Sequence, residues 1–211
     1  MNQTRVRVKM CGMTRNEDVS RAVSLGVDAI GLVFYSPSPR NVSIQQAELV
    51  LKNLPPFIDV VAVLVNPEKS YVRSILEVLP VNLLQFHGDE SPEFCQEFDF
   101  PFIKATHATS TRQIVDLAEQ FDSANALLLD TASPLYRGGT GLTFDWSIIP
   151  DTLTKPYILA GGLNESNIGQ AIRQHKPYAV DVCSGIESSP GVKDHHKMSL
   201  FIKALEANNE Y

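Results

Sequence analysis

Short apolar runs alternate with amphipathic segments along the whole chain. The apolar runs, rich in Val, Ile and Leu, are typical of strands buried on both faces of a parallel sheet. They are RVRVKMC, DAIGLVF, DVVAVLV, VNLLQFH, PFIKAT, NALLLD, KPYILA and YAVDV. Between them, segments such as NEDVSRAVSLG and STRQIVDLAEQF carry apolar residues at steps of three and four, which predicts helices. The series ends with the helical pattern KMSLFIKALEAN, and only TFDWSIIP is a weak helical element.

This alternation predicts an α/β protein with a parallel sheet. Two architectures fit it: an open doubly wound sheet, or a (β/α)8 TIM barrel, which typically needs about 200 to 250 residues. About eight strand and helix units favour the barrel. No GxGxxG follows the first strand, so the usual sign of a dinucleotide-binding fold is missing. We therefore predict one barrel domain over residues 1–211.

Composition and charge narrow the possible partners. The formal net charge is −6 and no segment concentrates Lys and Arg, which argues against nucleic acid. The beginning of the chain lacks the pattern of an export signal, and no apolar run is long enough to span a bilayer, so we expect a cytoplasmic protein with no membrane partner. The three cysteines have no CxxC spacing, which argues against a disulfide framework and a thiolate zinc site.

Cys11 stands where the first strand gives way to Gly12. Alternation puts Arg5, Arg7, Lys9 and Cys11 on one face of this strand and Val6, Val8 and Met10 on the other. The apolar face must pack against helices, so Cys11 points toward the barrel axis at the upper rim. The position of Cys11 alone supports two interpretations equally: a reactive thiol that a ligand can reach, or a small buried hydrophobic residue.

Asp130 ends the sixth strand, in LLLDT, and alternation points it into the barrel as well. A carboxylate after three leucines is either a helix cap or an acid whose pKa is raised by apolar walls. No helical pattern follows immediately, which favours a functional role.

Glycine-rich turns follow the seventh and eighth strands, in AGGLNESN and DVCSGIESSPG. Backbone amides at such turns bind anions, and barrels commonly hold phosphate at these two loops. Together the turns predict a phosphate site. The RGGTG of residues 137–141 is a competitor, although its place after the sixth strand suits a mobile lid better.

Four further polar residues belong to the predicted rim or barrel interior. Because closure makes the first and eighth strands neighbours, Lys9 and Asp181 are expected to pair inside the barrel, and this cation is expected to favour the thiolate of Cys11. Arg40 lies in a strand-end loop, where its planar fork suits a ligand carboxylate, although such an arginine is usually solvated. His87 at the end of the fourth strand is more simply read as a structural residue.

Seven blocks of sequence fall in order at the predicted strand ends. They are KMCGMT, GLVFYSPSPRNV, LLQFHGDE, LLLDT, GGTGLTFDW, LAGGLNESNI and AVDVCSGIESSPGVKD. Together they resemble the phosphoribosylanthranilate isomerase family of tryptophan biosynthesis, from Lys9 nearly to the C terminus. The departures are small: Met10 stands where the family often has Ile or Val, and Cys183 where Ser is frequent.

The resemblance implies an Amadori rearrangement of N-(5-phosphoribosyl)anthranilate that needs no cofactor and no metal. Asp130 would be the acid that protonates the ribose ring oxygen, and Cys11 the base that removes the proton from C2 of the sugar. Arg40 would face the anthranilate carboxylate. The substrate phosphate would meet backbone amides around Gly162, Ser184 and Gly185. The chain would be a monomer or a homodimer, with a small phosphorylated molecule as its partner.

Two other functions remain open from the sequence. A phosphosugar isomerase of the histidine pathway would use the same scaffold with a pair of aspartates, whereas here the first strand ends in Cys. A non-catalytic barrel could bind a phosphorylated metabolite as a sensor. Turnover of phosphoribosylanthranilate distinguishes the three.

Overall fold

The eight apolar runs form one closed barrel. The structure is a computed structural model that describes residues 5–107, 109–130, 146–150 and 152–208. Its parallel strands follow one another in sequence order around the barrel, and the last pairs with the first. The strands are β1 (Arg7–Met10), β2 (Ala29–Phe34), β3 (Asp59–Leu64), β4 (Leu83–Phe86), β5 (Phe102–Thr106), β6 (Ala126–Leu129), β7 (Tyr157–Leu159) and β8 (Ala179–Val182). The predicted (β/α)8 architecture is confirmed.

Helices connect the strands where amphipathic segments were predicted. Within the described residues they are α1 (Asn16–Ser24), α2 (Ile44–Val50), α3 (Lys69–Val78), α4 (Pro92–Gln96), α5 (Thr111–Gln120), α6 (Ile168–His175) and α7 (His195–Glu206). Side-chain caps mark the first residues of several helices. Ser43 forms a capping box with Gln46, and the side chain of Asp194 accepts hydrogen bonds from two backbone amides of α7. In the weak TFDWSIIP segment the structure describes a 3-10 helix over Trp146–Ile148. No helix of the described residues has the length and apolar character that a membrane span requires.

The strand alternation predicted from the sequence is confirmed on both sides of the barrel wall. Val8, Met10 and Leu127 pack outward into the main core between barrel and helices. Ala126 and Leu128 belong instead to a separate apolar cluster that also holds side chains of β5 and β7. Apolar cores therefore lie on both sides of the barrel wall.

A two-stranded antiparallel ribbon follows the barrel and was not predicted. It pairs β9 (Glu187–Ser189) with β10 (Val192–Lys193), and Gly191 at its turn has a φ of +82°. The ribbon lies between β8 and α7 in sequence, next to a 3-10 helix over Ser184–Ile186. It carries two buried charged residues, Glu187 and Lys193, toward the cavity described below.

Candidate active site

A cleft opens at the carboxyl ends of the barrel strands. About 100 Å³ of free volume lies inside it, within a wider space of about 780 Å³ that includes open solvent. Its lining comes from the loops after several strands: Cys11, Val33, Tyr35, Ser38, Arg40, Val63, Val65, Gln85, His87, Asp130, Ala160, Gly161, Gly162, Leu163, Asp181, Cys183 and Ser184. Most of these residues directly follow or end a strand, so the barrel itself sets their positions.

Cys11 is both buried and part of the cleft wall. Its backbone amide donates to the carbonyl oxygen of Val182 at 2.9 Å, which continues the β1–β8 ladder by one residue. The side chain is only 6% exposed and lies in an apolar cluster with Val33, Val61 and Val63. The two sequence-based readings thus do not exclude each other, because the thiol packs on hydrocarbon and still lines the cleft.

Lys9 and Asp181 form the predicted ion pair inside the barrel. They face each other in register, and Nζ of Lys9 donates to Oδ2 of Asp181 at 2.8 Å. Their side chains are 5% and 8% exposed. Burial by itself would lower the pKa of Lys9, but the charges of Asp181 and Cys11 outweigh burial and raise it. Lys9 is therefore charged at all ordinary pH values, and its partner balances that charge.

Replacement of Lys9 by methionine is expected to lower the free energy of unfolding by about 3–5 kcal/mol, because it leaves Asp181 buried without its cation. Urea-induced unfolding measures the loss. The double variant Lys9→Met/Asp181→Leu removes both charges and should recover much of the stability. A single variant as stable as the unaltered protein would show that the pair contributes nothing to the barrel interior.

The Cys11 thiol has a second thiol as its neighbour, that of Cys183, which follows β8. The neighbouring Cys183 and burial raise the pKa of Cys11 well above its ordinary value, although Lys9 acts in the opposite direction. Lys9 therefore acts on the thiol in the expected direction, but the other two effects outweigh it. Conversely, the neighbouring Cys11 and the charges of Lys193 and Arg40 lower the pKa of Cys183.

Asp130 lies across the cleft, directly after β6. Its backbone amide donates to the carbonyl oxygen of Thr106 at 3.0 Å, and the residue is 6% exposed. Nε2 of His87 lies 3.3 Å from Oδ2 of Asp130. The side-chain amide nitrogen of Gln85 lies 3.0 Å from Nδ1 of the same ring, and as a donor it leaves the ring proton on Nε2. Gln85 and His87, left out of the sequence prediction, thus stand next to the carboxyl group.

His87, His107 and Asp130 also bring three potential metal ligands together. The ligand atoms all lie within 4.8 Å of one another, and no other group of this kind occurs among the described residues. Two imidazoles and a carboxylate suit a divalent transition metal. A carboxylate bound to a metal ion cannot deliver a proton, so occupancy of this cluster and an acid role for Asp130 exclude each other.

Arg40 is tied to the ribbon rather than solvated. Its Nε and Nη2 donate to the two carboxylate oxygens of Glu187 at 2.9 and 2.6 Å. Glu187 also accepts from Nζ of Lys193 at 2.8 Å. Burial by itself would raise the pKa of Glu187, but the two cations outweigh it and hold the pKa below the ordinary range. The interpretation of Arg40 as an ordinary solvated side chain is wrong, because Glu187 fixes its guanidinium group at the edge of the cleft.

The two glycine turns after β7 and β8 pack directly against each other. Gly161 and Gly162 have φ values of +80° and +65°, a region that favours glycine. A Cβ placed on Gly185 would overlap the carbonyl oxygen of Leu163, so only glycine allows this contact. The predicted phosphate-binding residues Gly162, Ser184 and Gly185 are thus brought to one place, where both turns meet.

Replacement of Gly185 by alanine is expected to separate the two turns and to weaken binding of inorganic phosphate by about 10- to 100-fold, since overpacking costs about 1–3 kcal/mol. Calorimetric titration with phosphate measures the change. Gly26→Ala is the matched control: Gly26 has a φ of +75° but no atom within 4 Å of its Cβ position. The control should lose stability without losing phosphate affinity, and equal losses in both variants would contradict a special role for Gly185.

Known proteins share this sequence and this barrel. The family model described as N-(5'phosphoribosyl)anthranilate (PRA) isomerase matches residues 8–204. The chain belongs to this isomerase family. It is 64% identical to N-(5'-phosphoribosyl)anthranilate isomerase of Legionella pneumophila (strain Lens) over 205 residues, which cover 97% of this chain and 99% of the relative.

Solved structures of the family superpose on the barrel. Phosphoribosyl anthranilate isomerase from Thermotoga maritima is 37% identical, with a TM-score of 0.85 and coverage of 96% of this chain and 99% of that chain. A second family structure, in complex with reduced 1-(o-carboxyphenylamino)-1-deoxyribulose 5-phosphate, is 34% identical with a TM-score of 0.81 at the same coverage. The barrel predicted from the sequence and the family resemblance are both confirmed.

The structure gathers the predicted site residues around one cleft. Cys11, Arg40, Asp130, Gly162 and Ser184 line it, and Gly185 packs at its edge. The RGGTG segment, predicted as a lid, lies outside the described residues. Sequence reasoning left Gln85 and His87 outside the predicted site. It missed Glu187 and Lys193, which stand in the quoted block AVDVCSGIESSPGVKD without an assigned role.

Proposed function

We propose that this chain converts N-(5-phosphoribosyl)anthranilate to 1-(2-carboxyphenylamino)-1-deoxyribulose 5-phosphate in tryptophan biosynthesis, as an aldose–ketose isomerase that uses general acid and base catalysis. The observation that carries the proposal is the placement of Cys11 and Asp130 at the ends of β1 and β6, on the wall of one cleft. Membership of the family supports the same reaction.

Asp130 is the acid in this mechanism. Its proton goes to the ribose ring oxygen, the bond from that oxygen to C1 breaks, and the aminal opens to a protonated Schiff base. His87, which directly follows β4, faces the carboxyl group at 3.3 Å. The low exposure of Asp130 keeps bulk water from competing for the proton.

Cys11 is the base. Its sulfur removes the proton from C2 of the opened sugar, and the electron pair of that bond neutralises the Schiff base to give an enolamine. The enolamine then tautomerises to the ketone by losing the C2 hydroxyl proton and gaining a proton at C1. The acid and the base act on different atoms of one sugar, which requires two groups on separate strands.

Two anchors hold the ends of the substrate. Arg40 faces the anthranilate carboxylate with the N–H groups that Glu187 does not occupy, because two of its five donors go to Glu187. The backbone amides around Gly162, Ser184 and Gly185 bind the phosphate. Such anchoring converts binding free energy into correct placement of C2 over the sulfur.

The remaining expectations are parts of the same proposal. The chain works in the cytoplasm without cofactor, metal, membrane or nucleic acid, as a single domain that is a monomer or a homodimer. One solved structure is of monomers generated from the dimeric phosphoribosylanthranilate isomerase of Thermotoga maritima, which supports both states as compatible with the family barrel.

The fluorescence decay of phosphoribosylanthranilate on addition of the purified chain tests the proposal. We expect rapid decay and, independently, growth of a tryptophan auxotroph that lacks this step. Binding without decay would favour the sensor, and neither binding nor decay would favour the histidine-pathway isomerase. Assay of the histidine-pathway aldose beside it decides whether one cleft serves both substrates.

A further inference from the structure

A second thiol lies beside the proposed base. Cys11 directly follows β1 and Cys183 directly follows β8, and the register Met10↔Val182 makes them neighbours across the seam of the barrel. Both side chains line the cleft, and each thiol affects the pKa of the other. A Cβ placed on Gly12 would lie 3.0 Å from Sγ of Cys183, so glycine at this position leaves the second sulfur uncovered. The mechanism above gives Cys183 no role.

The charges around the two sulfurs differ. Near Cys183 stand Lys193, whose Nζ lies 3.8 Å from Sγ, and Arg40, and these two cations share the single carboxylate of Glu187. The surroundings of Cys183 therefore carry one excess positive charge.

Near Cys11 stand Lys9 and Asp181, whose charges cancel. A single negative charge on the two thiols is therefore more stable on Cys183. The opposite directions of the two pKa values agree: that of Cys183 is lowered, and that of Cys11 is raised.

We propose that Cys11 and Cys183 share one proton, and that Cys11 becomes the base by passing its proton to Cys183 when the substrate phosphate binds. The inference rests on the proposed function, which it deepens. In this step the S–H bond of Cys11 breaks and an S–H bond of Cys183 forms, with no change in the total number of protons. The C2 proton of the substrate can then move to the Cys11 sulfur.

The position of the phosphate site supplies the driving force. Cys183 immediately precedes Ser184 and Gly185, whose amides are the proposed phosphate ligands. A phosphate dianion there repels a thiolate on Cys183 more strongly than one on Cys11, which follows the neighbouring strand. The arrangement also removes a conflict in the mechanism, since a bound phosphate would otherwise oppose ionisation of the base. With a second sulfur present, the phosphate moves the charge onto Cys11 instead of abolishing it.

NMR of the full chain labelled with ¹³C at cysteine Cβ tests the resting state, because the Cβ shift distinguishes thiol from thiolate. At neutral pH we expect a thiolate at Cys183 and a thiol at Cys11. Inorganic phosphate should reverse the two. Cys95 is an internal reference, since burial raises its pKa to about 12 and keeps it a thiol. A resting thiolate at Cys11, or no thiolate at either residue, overturns the proposal.

The pH dependence of turnover tests the catalytic consequence. In Cys183→Ser the hydroxyl cannot hold the charge, so Cys11 must lose its proton to solvent. We expect kcat/KM at pH 7 to fall about tenfold or more and to recover only at alkaline pH. Even an ordinary thiol, with a pKa of about 8.5, is only a few per cent ionised at pH 7, and burial raises the pKa of Cys11 further. Cys183→Ala should show the same shift of the acidic limb to higher pH.

The outcomes separate this inference from the proposed function. A profile unchanged in both variants, or a loss that is uniform at all pH values, overturns the shared proton and leaves the isomerase assignment intact. Absence of turnover in the unaltered chain contradicts the isomerase assignment. The NMR titration, which needs no substrate, then still decides where the proton resides.

Discussion

Replacement of Cys11 by serine is expected to lower kcat for phosphoribosylanthranilate by about 10²- to 10⁴-fold, the usual contribution of a positioned general base. A serine hydroxyl in the same place is too weak a base to remove the C2 proton. The barrel should fold unchanged, because the side chain keeps nearly the same volume. Stopped-flow measurement of the substrate fluorescence gives kcat, and titration with the reduced product analogue gives the affinity, which should stay within a few-fold.

A second buried cysteine provides the matched control. Cys95 in α4 is fully buried in the main core, away from the cleft lining. Cys95→Ala removes a thiol of similar burial and should cost stability with little change in kcat. If Cys11→Ser retained near-normal turnover, the thiol would be a packing residue and the base would have to be sought elsewhere on the cleft wall.

The second large effect is expected from Asp130→Asn, which should also lower kcat by about 10²- to 10⁴-fold. The amide has the shape of the carboxyl group but has no acidic proton to give to the ribose oxygen, so ring opening becomes slow. Because His87 faces this residue, the amide can keep its place in the cleft. The same fluorescence assay measures turnover, and the affinity for the product analogue should change little.

Asp116→Asn on α5 is the comparison for this substitution. Asp116 is exposed and pairs with Arg112 one turn away, so its loss should alter neither kcat nor affinity. A pre-opened substrate analogue sharpens the test, since isomerisation of an open-chain Schiff base would bypass the acid. If Asp130→Asn were equally slow on closed and open substrates, a role in ring opening would be refuted.

The alternation of side chains between the two faces of each strand accounts for most of what could be predicted from the sequence. It placed Cys11 and Asp130 inside the barrel, because alternate residues of a buried strand point to opposite faces. Combined with closure of the barrel, it also placed Lys9 against Asp181. Cys11 and Cys183 each lie two residues after Lys9 and Asp181, so the same register makes the two cysteines neighbours. This pair of thiols could therefore have been predicted, although the sequence analysis treated Cys183 only as a departure from the family pattern.

Other contacts depend on loop geometry that no periodicity reveals. Arg40 and Glu187 are 147 residues apart, and Glu187 reaches Arg40 only because an unpredicted ribbon folds back over the barrel mouth. The ribbon strands are two and three residues long and largely polar, so they carry no alternation to detect. The approach of His87 to Asp130 likewise depends on side-chain direction at two separate strand ends.

The pairing of β1 with β8 has a consequence for when the active site forms during protein synthesis. Translation adds Asp181 172 residues after its partner Lys9, and Cys183, the neighbour of Cys11, follows two residues later. A nascent chain that ends before β8 therefore carries an unpaired ammonium group and only one of the two thiols of the cleft. We expect such a chain to lack activity until the eighth strand closes the barrel.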